Sequence, residues 1–262
     1  MTSRFFAPAK PRLFAHRGDS RWFPENTLPA FQSAWDAGSR YFELDIWATE
    51  DGHLVCHHDQ SSRRTCGKDC NISDITLANC RQLDAGHGFI APDRTHPFRD
   101  QGISIPTLAE VLTSFPEAML TVEVKQQTPP ITALLANLLR DTNSADRVLL
   151  AAFNHPVLTA LRQACPGLPT SFSFQEVKEF YTMLARGSTA DYHPPGKALQ
   201  IPRFYKGKNL IYPAAIAAAH DLGLEMHVWT VNDARVMRDL LELGVDGIMS
   251  DDPGLLAQLH SC

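Results

Sequence analysis

Short apolar, β-branched runs alternate along the chain with longer segments whose apolar residues recur at helical spacing. The runs Leu13–His16, Tyr41–Ile46, Leu120–Val124, Val148–Phe153, Thr170–Phe174, Leu199–Pro202, Met226–Val231 and Gly247–Ser250 read as eight strands. Such alternation indicates parallel strands joined by helical crossovers. The chain has 262 residues, and a (β/α)8 TIM barrel typically takes ~250. The expected class is therefore α/β, with residues 1–262 forming a single (β/α)8 TIM-barrel domain.

Helix boundaries support this reading. Pro24-Glu25-Asn26-Thr27 stands before Leu28-Pro29-Ala30-Phe31, with Asn26 or Thr27 as N-cap and Pro29 in the first turn. Asn154-His155-Pro156 opens a helix to Ala164, and Asn232-Asp233 opens one to Leu243. Gly38, Gly223 and Gly244 fall where helices should stop.

One apolar run, Leu54–His57, is left over. A parallel crossover needs about a dozen residues or more, and too few separate this run from Asp45. Asp51-Gly52 between extended runs instead signals a hairpin. Residues 44–58 are therefore expected to form a β-hairpin at the end of the second barrel strand, with Glu43 roughly opposite His58. From Gln60 to Ile105 the pattern is irregular, which predicts a small inserted subdomain after the second barrel strand rather than a structureless loop.

Composition narrows the class of function. The hydrophobic fraction is 44% and the charged fraction 20%, ordinary for a globular protein. No run of eighteen apolar residues marks a transmembrane segment. The N-terminus lacks the apolar stretch of a signal peptide, so a cytoplasmic location is expected and Cys56, Cys66, Cys70, Cys80, Cys165 and Cys262 are expected as free thiols. A formal net charge of −5 without a Lys/Arg run argues against nucleic-acid binding.

The candidate chemistry lies at strand ends: His16-Arg17-Gly18, Glu43-Leu44-Asp45, His58-Asp59 and Glu123-Val124-Lys125. Residues two apart in a strand share a face, so Glu43 pairs with Asp45 and Glu123 with Lys125. Each motif alone describes an ordinary turn or salt-bridged surface pair. Together, at the mouth where barrel enzymes place their sites, they describe a site. Three carboxylates directed into a barrel need compensation, and a hard divalent cation with oxygen ligands supplies it. His57, adjacent to His58, faces the other way and reads as structural. His227 is left unassigned, and the remaining histidines read as ordinary surface or helix residues.

Here the chain resembles the glycerophosphodiester phosphodiesterase family. The resemblance adds Pro24-Glu25-Asn26-Thr27, Asp51-Gly52 leading to Cys56-His57-His58-Asp59, His227-Val228-Trp229-Thr230-Val231-Asn232 and Gly244-Val245-Asp246-Gly247-Ile248-Met249-Ser250-Asp251. Ser250 stands where the family usually has threonine and keeps the hydroxyl. The resemblance implies metal-dependent hydrolysis of glycerophosphodiesters to an alcohol and glycerol 3-phosphate. It implies Glu43, Asp45 and Glu123 as ligands of one divalent cation, Mg2+ or Ca2+, and His16 and His58 as the acid–base pair. Arg17 and Lys125 would hold the phosphate, and Phe153 and Trp229 would line the pocket for the rest of a small-molecule substrate. An alternative is a lysophospholipase D taking lysophospholipids, with Phe89, Ile90 and Phe98 as an apolar lip. A catalytically inactive barrel acting as a binding protein would be expected to lack a ligand or a histidine, and all seven polar positions are present.

Overall fold

The protein is described by a computed structural model covering residues 3–187 and 192–260; the Cys262 thiol and the His260 side chain lie outside the described residues. In chain order the elements begin with β1 (Arg12–His16), α1 (Leu28–Asp36), β2 (Tyr41–Ala48) and β3 (Leu54–Cys56). The short helices α2 (Arg63–Cys66) and α3 (Leu77–Cys80) precede α4 (Leu108–Ser114), β4 (Met119–Val124), α5 (Thr132–Asp141), β5 (Val148–Ala151), α6 (His155–Ala164) and α7 (Phe174–Ala185). Then come β6 (Ala198–Pro202), β7 (Phe204–Tyr205), β8 (Lys208–Asn209), α8 (Pro213–Asp221), β9 (Glu225–Trp229), α9 (Ala234–Leu243), β10 (Gly247–Ser250) and α10 (Pro253–His260).

The parallel strands follow the order β5-β4-β2-β1-β10-β9-β6. The ring closes between β5 and β6 through single parallel bridges, Leu150 to Thr170 and Ser171 to Ala198. The expected strand over 170–174 is thus reduced to its first two residues. The reason is local: Ser173 caps α7, its hydroxyl accepting from the Glu176 N–H while Glu176 reaches back to the Ser173 N–H, a capping box that draws Phe174 into the helix. Asn154 likewise caps α6 and shortens the strand expected to reach Phe153.

The hairpin forms as expected, antiparallel, with Ile46 opposite Cys56 and Ala48 opposite Leu54. Its loop is centred on Asp51, so this register carried outward sets Asp59 rather than His58 against Glu43, a difference of one residue. Between β3 and α4, residues Cys66, Ile72, Cys80, Leu83, Ala85 and Ile105 bury one another and cover Val55 of the hairpin. Cys56, Cys66, Cys70, Cys80 and Cys165 are free thiols.

Alternation along β2 separates two environments. Phe42, Leu44 and Ile46 pack outward against Phe31, Leu112 and Leu120 beneath the helices. Tyr41 turns inward to meet Phe5, Phe14 and Met119, which fill the barrel floor. At the N-terminal ends of the strands, away from the mouth, Arg12 forms a bidentate pair with Glu225, Nε–Oε2 2.5 Å and Nη2–Oε1 2.7 Å, and also donates to the Tyr41 hydroxyl. His227, fully buried, closes the network through Glu225 Oε2 at 2.9 Å. Its role is structural.

Arg12→Ala removes the bidentate cation from buried Glu225, leaving it only His227 and the more distant Lys10. Breaking a buried pair in this way costs ~3–5 kcal/mol, and denaturant titration should read a loss of that order; a loss under ~1 kcal/mol would show that the network adds no net stability.

Candidate active site at the barrel mouth

The strand register assembles the site. Parallel pairing sets Asp45 beside Glu123 and His16 beside Glu43. Glu43 and Asp45, two apart on β2, therefore share the interior face with Glu123. One carboxylate oxygen from each lies within 4.8 Å of the others, the one such cluster among the described residues. Two ligands on a Mg2+ or Ca2+ ion sit no further apart than twice a metal–oxygen distance, ~4–5 Å. Glu43 Oε2 is buried without a hydrogen bond, and Asp45 Oδ1 is met only by the Lys125 ammonium, so hard oxygen donors converge here and can hold a cation.

Electrostatics bears this out. Burial, then the charge of Asp45, pushes the Glu43 carboxyl up to about 8. Burial acts in the same direction on Asp45, but Lys125, Arg17 and His58 outweigh it and hold Asp45 below the usual carboxylate range. The pairs are direct: Lys125 Nζ is 3.0 Å from both Asp45 Oδ1 and Glu123 Oε2, and Arg17 Nε is 3.1 Å from Asp45 Oδ2. Arg17 lies in the tight turn after β1, where Gly18 adopts φ +83° and a Cβ would come within 2.7 Å of Ala30. Only glycine fits, which explains the third residue of His16-Arg17-Gly18.

The two histidines have matching surroundings. His16 Nδ1 is 2.6 Å from Asp251 Oδ1, and His58 Nδ1 is 2.6 Å from Asp59 Oδ1. An ionised carboxylate only accepts, so each Nδ1 carries the proton and each Nε2 is left for the cavity. Burial depresses His16, yet the Asp251 hydrogen bond and the Glu43 charge together leave it above its ordinary pKa. Ser20 and Asn232 fix Asp251, while Arg64 fixes Asp59. His57, in contrast, is buried, bonded to the Asp59 carbonyl and the Thr65 hydroxyl.

A cavity of about 220 Å³ is lined by His16, Arg17, Glu43, His58, Glu123, Lys125, Phe153 and Trp229, among others. Of the nine candidate residues only Asp45 is absent from this lining; at 1% exposure it lies beneath the surface. Phe89 and Phe98 pack on each other, and Phe98 on Phe23, instead of lining the cavity, while Ile90 is exposed.

The sequence reading missed the supporting residues. Asn26, expected as a possible cap, takes φ +56° and donates to Asp45 Oδ2 at 3.0 Å, while Thr27 caps α1. Arg64 on α2 bonds both Asp59 and Glu25, and Glu25 accepts from Arg17. Asp59 and Asp251 stood inside quoted motifs, but nothing in their spacing pointed to a histidine 235 positions away in the case of Asp251.

The sequence and fold recur among known proteins. The sequence model of the glycerophosphoryl diester phosphodiesterase family matches residues 16–255. A glycerophosphodiester phosphodiesterase from Caldanaerobacter subterraneus subsp. tengcongensis is 32% identical over 256 residues, covering 95% of this chain and 98% of its own. The glycerophosphoryl diester phosphodiesterase domain of a Mycobacterium tuberculosis protein superposes with a TM-score of 0.85 at 23% identity, covering 96% and 99%. An Oleispira antarctica phosphodiesterase, solved with its product sn-glycerol-3-phosphate, superposes with a TM-score of 0.78 at 24% identity, covering 97% and 98%.

The crowded carboxylates give a prediction with a definite sign. A bound cation keeps all three charged, whereas Glu43 by itself holds a proton up to about pH 8. This raised pKa weakens the fold as pH climbs from the ordinary carboxylate range through 8, and cation binding reverses the loss. Affinity for Mg2+ or Ca2+ should therefore rise across that window and level off above it. Calorimetric titration should find about one proton released per ion near neutral pH and none well above pH 8; an affinity independent of pH would contradict the assignment.

Proposed function

Because the chain belongs to the glycerophosphoryl diester phosphodiesterase family and is a phosphoric diester hydrolase, we propose that it hydrolyses glycerophosphodiesters to an alcohol and glycerol 3-phosphate, using one divalent cation and two histidines. The observation that carries the reading is the pairing of each cavity-facing histidine with its own carboxylate beside a three-carboxylate cluster. The free thiols fit a reducing compartment, and we place the activity in the cytoplasm.

Glu43, Asp45 and Glu123 would hold Mg2+ or Ca2+, both of which take oxygen ligands. A cation held there would supply Lewis-acid stabilisation of the charge developing on the phosphate. Arg17 and Lys125 face the cavity and add positive charge at that phosphate, Arg17 with a planar guanidinium suited to two oxygens. One histidine accepts a proton at Nε2 from the attacking hydroxyl. A new phosphorus–oxygen bond forms and the phosphorus–headgroup oxygen bond breaks. The other histidine delivers a proton from Nε2 to the departing alkoxide. Asp59 and Asp251 act as positioning residues that hold each ring. Phe153 and Trp229, exposed at the rim, border the alcohol portion.

Turnover of glycerophosphocholine, followed by glycerol 3-phosphate release, tests the whole reading; full activity in excess chelator would remove the cation from it. His16→Ala and His58→Ala should each lower kcat by about 10²–10⁴-fold, and the double change should lose less than the product of the two. His57→Ala should chiefly lower thermal stability, and equal damage to kcat from His57 and His58 in folded protein would refute the assignment.

Asp251→Asn should lower kcat by about 10²-fold and move the pH profile. The carboxylate contributes to raising His16, so its neutralisation should shift the His16 limb toward lower pH. A fall in kcat with an unmoved profile would leave Asp251 a structural residue only.

A further inference from the structure

Large apolar side chains left in solvent are concentrated at one end of the barrel. Among the described residues eight are exposed, and six of these, Trp22, Ile90, Phe153, Phe204, Tyr205 and Trp229, lie on segments at the C-terminal ends of barrel strands. Leu134 and Leu243 lie on the outer helices. Single exposed apolar groups are ordinary, whereas a concentration on one face marks an interaction surface.

The β7–β8 hairpin projects from this face. It follows β6, whose Pro202 pairs with Trp229 at the mouth, and sets Phe204 opposite Asn209 and Tyr205 opposite Lys208. Lys206 at φ +48° and Gly207 at φ +76° form its tip, the two left-handed residues of a tight hairpin turn. Tyr205 packs on Phe174 with ring centres 5.5 Å apart, and Phe174 stacks on the cavity-lining Phe153 at 5.0 Å. Phe204 is the next residue along the strand and points to the opposite face. It is 54% exposed, with the Arg203 guanidinium 5.2 Å from its ring centre.

Charge identifies the partner. Arg203, Lys206 and Lys208 fall within six residues, and no acidic residue stands between Pro202 and Pro213. The chain as a whole has a net charge of −5, so this hairpin opposes the overall balance. No ion pair to these three cations is found among the described residues. Arg203 lies over the Phe204 ring and Lys206 over the Tyr205 ring, 5.6 Å from its centre, but none of the three cations has an acidic partner among the described residues. A tip carrying a half-exposed aromatic ring among such cations matches an anionic lipid surface, where the ring would enter the boundary between headgroups and acyl chains and the cations would meet lipid phosphates.

We propose that the barrel mouth docks on an anionic lipid surface through the β7–β8 hairpin, with Phe204 as the inserted side chain and Arg203, Lys206 and Lys208 as the headgroup contacts. This rests on the hydrolase reading above and gives it a substrate class, a glycerol phosphodiester presented at a lipid interface. No helix among the described residues is long and apolar enough to cross a membrane. The attachment is therefore peripheral, reversible and screened by salt.

Flotation of the full chain with vesicles tests the proposal, using phosphatidylcholine alone against an equal mixture with phosphatidylglycerol. The protein should float with the anionic vesicles only, and less so as salt rises. Phe204→Ser, and separately Lys206→Glu with Lys208→Glu, should each lower the bound fraction by about 10-fold or more. Both variants should turn over soluble glycerophosphocholine as the parent does. Failure of the parent to float, or equal flotation of the variants, would overturn docking. Phe204→Ser floating normally while heparin binds the parent as tightly as vesicles would assign the cations to a polyanion instead. Glycerophosphocholine turnover, measured on the same samples, separates this outcome from failure of the catalytic reading.

Discussion

Three carboxylates held inside the mouth of a barrel are the constraint around which the rest is arranged. Glu43 and Asp45 are almost completely buried, and Glu123 stands beside Asp45 across the strand pair. Like charges this close in a desolvated site oppose one another, which is why Glu43 alone keeps its proton far above the usual carboxylate range. Lys125 and Arg17 offset part of that cost directly, and a divalent cation held by the cluster would offset what remains. The fold tolerates the cluster because parallel strands fix these side chains at the rim, above an apolar floor that supplies stability independently.

The site also depends on segments that are not part of the barrel. Asp59 and Arg64 come from the stretch after the hairpin, and Arg64 ties them to Glu25 in the β1–α1 loop. Glu25 in turn bonds Arg17, which bonds Asp45. This line of charges connects Arg64 to the carboxylate cluster, so Arg64 acts on His58 through Asp59 and on the cluster through Glu25 and Arg17. Ordinary packing in the small Cys66–Ile72–Cys80–Leu83 core holds it there. On the other side of the mouth, Asp251 follows β10 and reaches His16 with help from Asn232 and Ser20. Each histidine thus receives its orientation from a different loop, while the strands position the carboxylates.

The barrel was legible because its information is local. Period-two alternation, capping residues and terminal glycines state where strands and helices begin and end without reference to the remainder of the chain. The hairpin could be inferred from Asp51-Gly52 and a connection too short for a crossover. The shared face of Glu43 and Asp45 followed from strand geometry alone. Even the strand that fell shortest was marked, since Ser173-x-x-Glu176 carries a capping box that outcompetes extension.

What the sequence determined by itself was therefore the barrel class, the carboxylate pairs at the strand ends and the two histidines beside them. Tertiary structure decided which groups serve those residues. Asp251 meets His16 only because β10 pairs with β1 and closes the ring, and Asn26 grips Asp45 only because its backbone turns left-handed ahead of α1. A hydrogen bond across hundreds of residues leaves no periodic trace in the chain: its partners are chosen by where separate elements come to rest, and burial then makes an unmatched alternative costly.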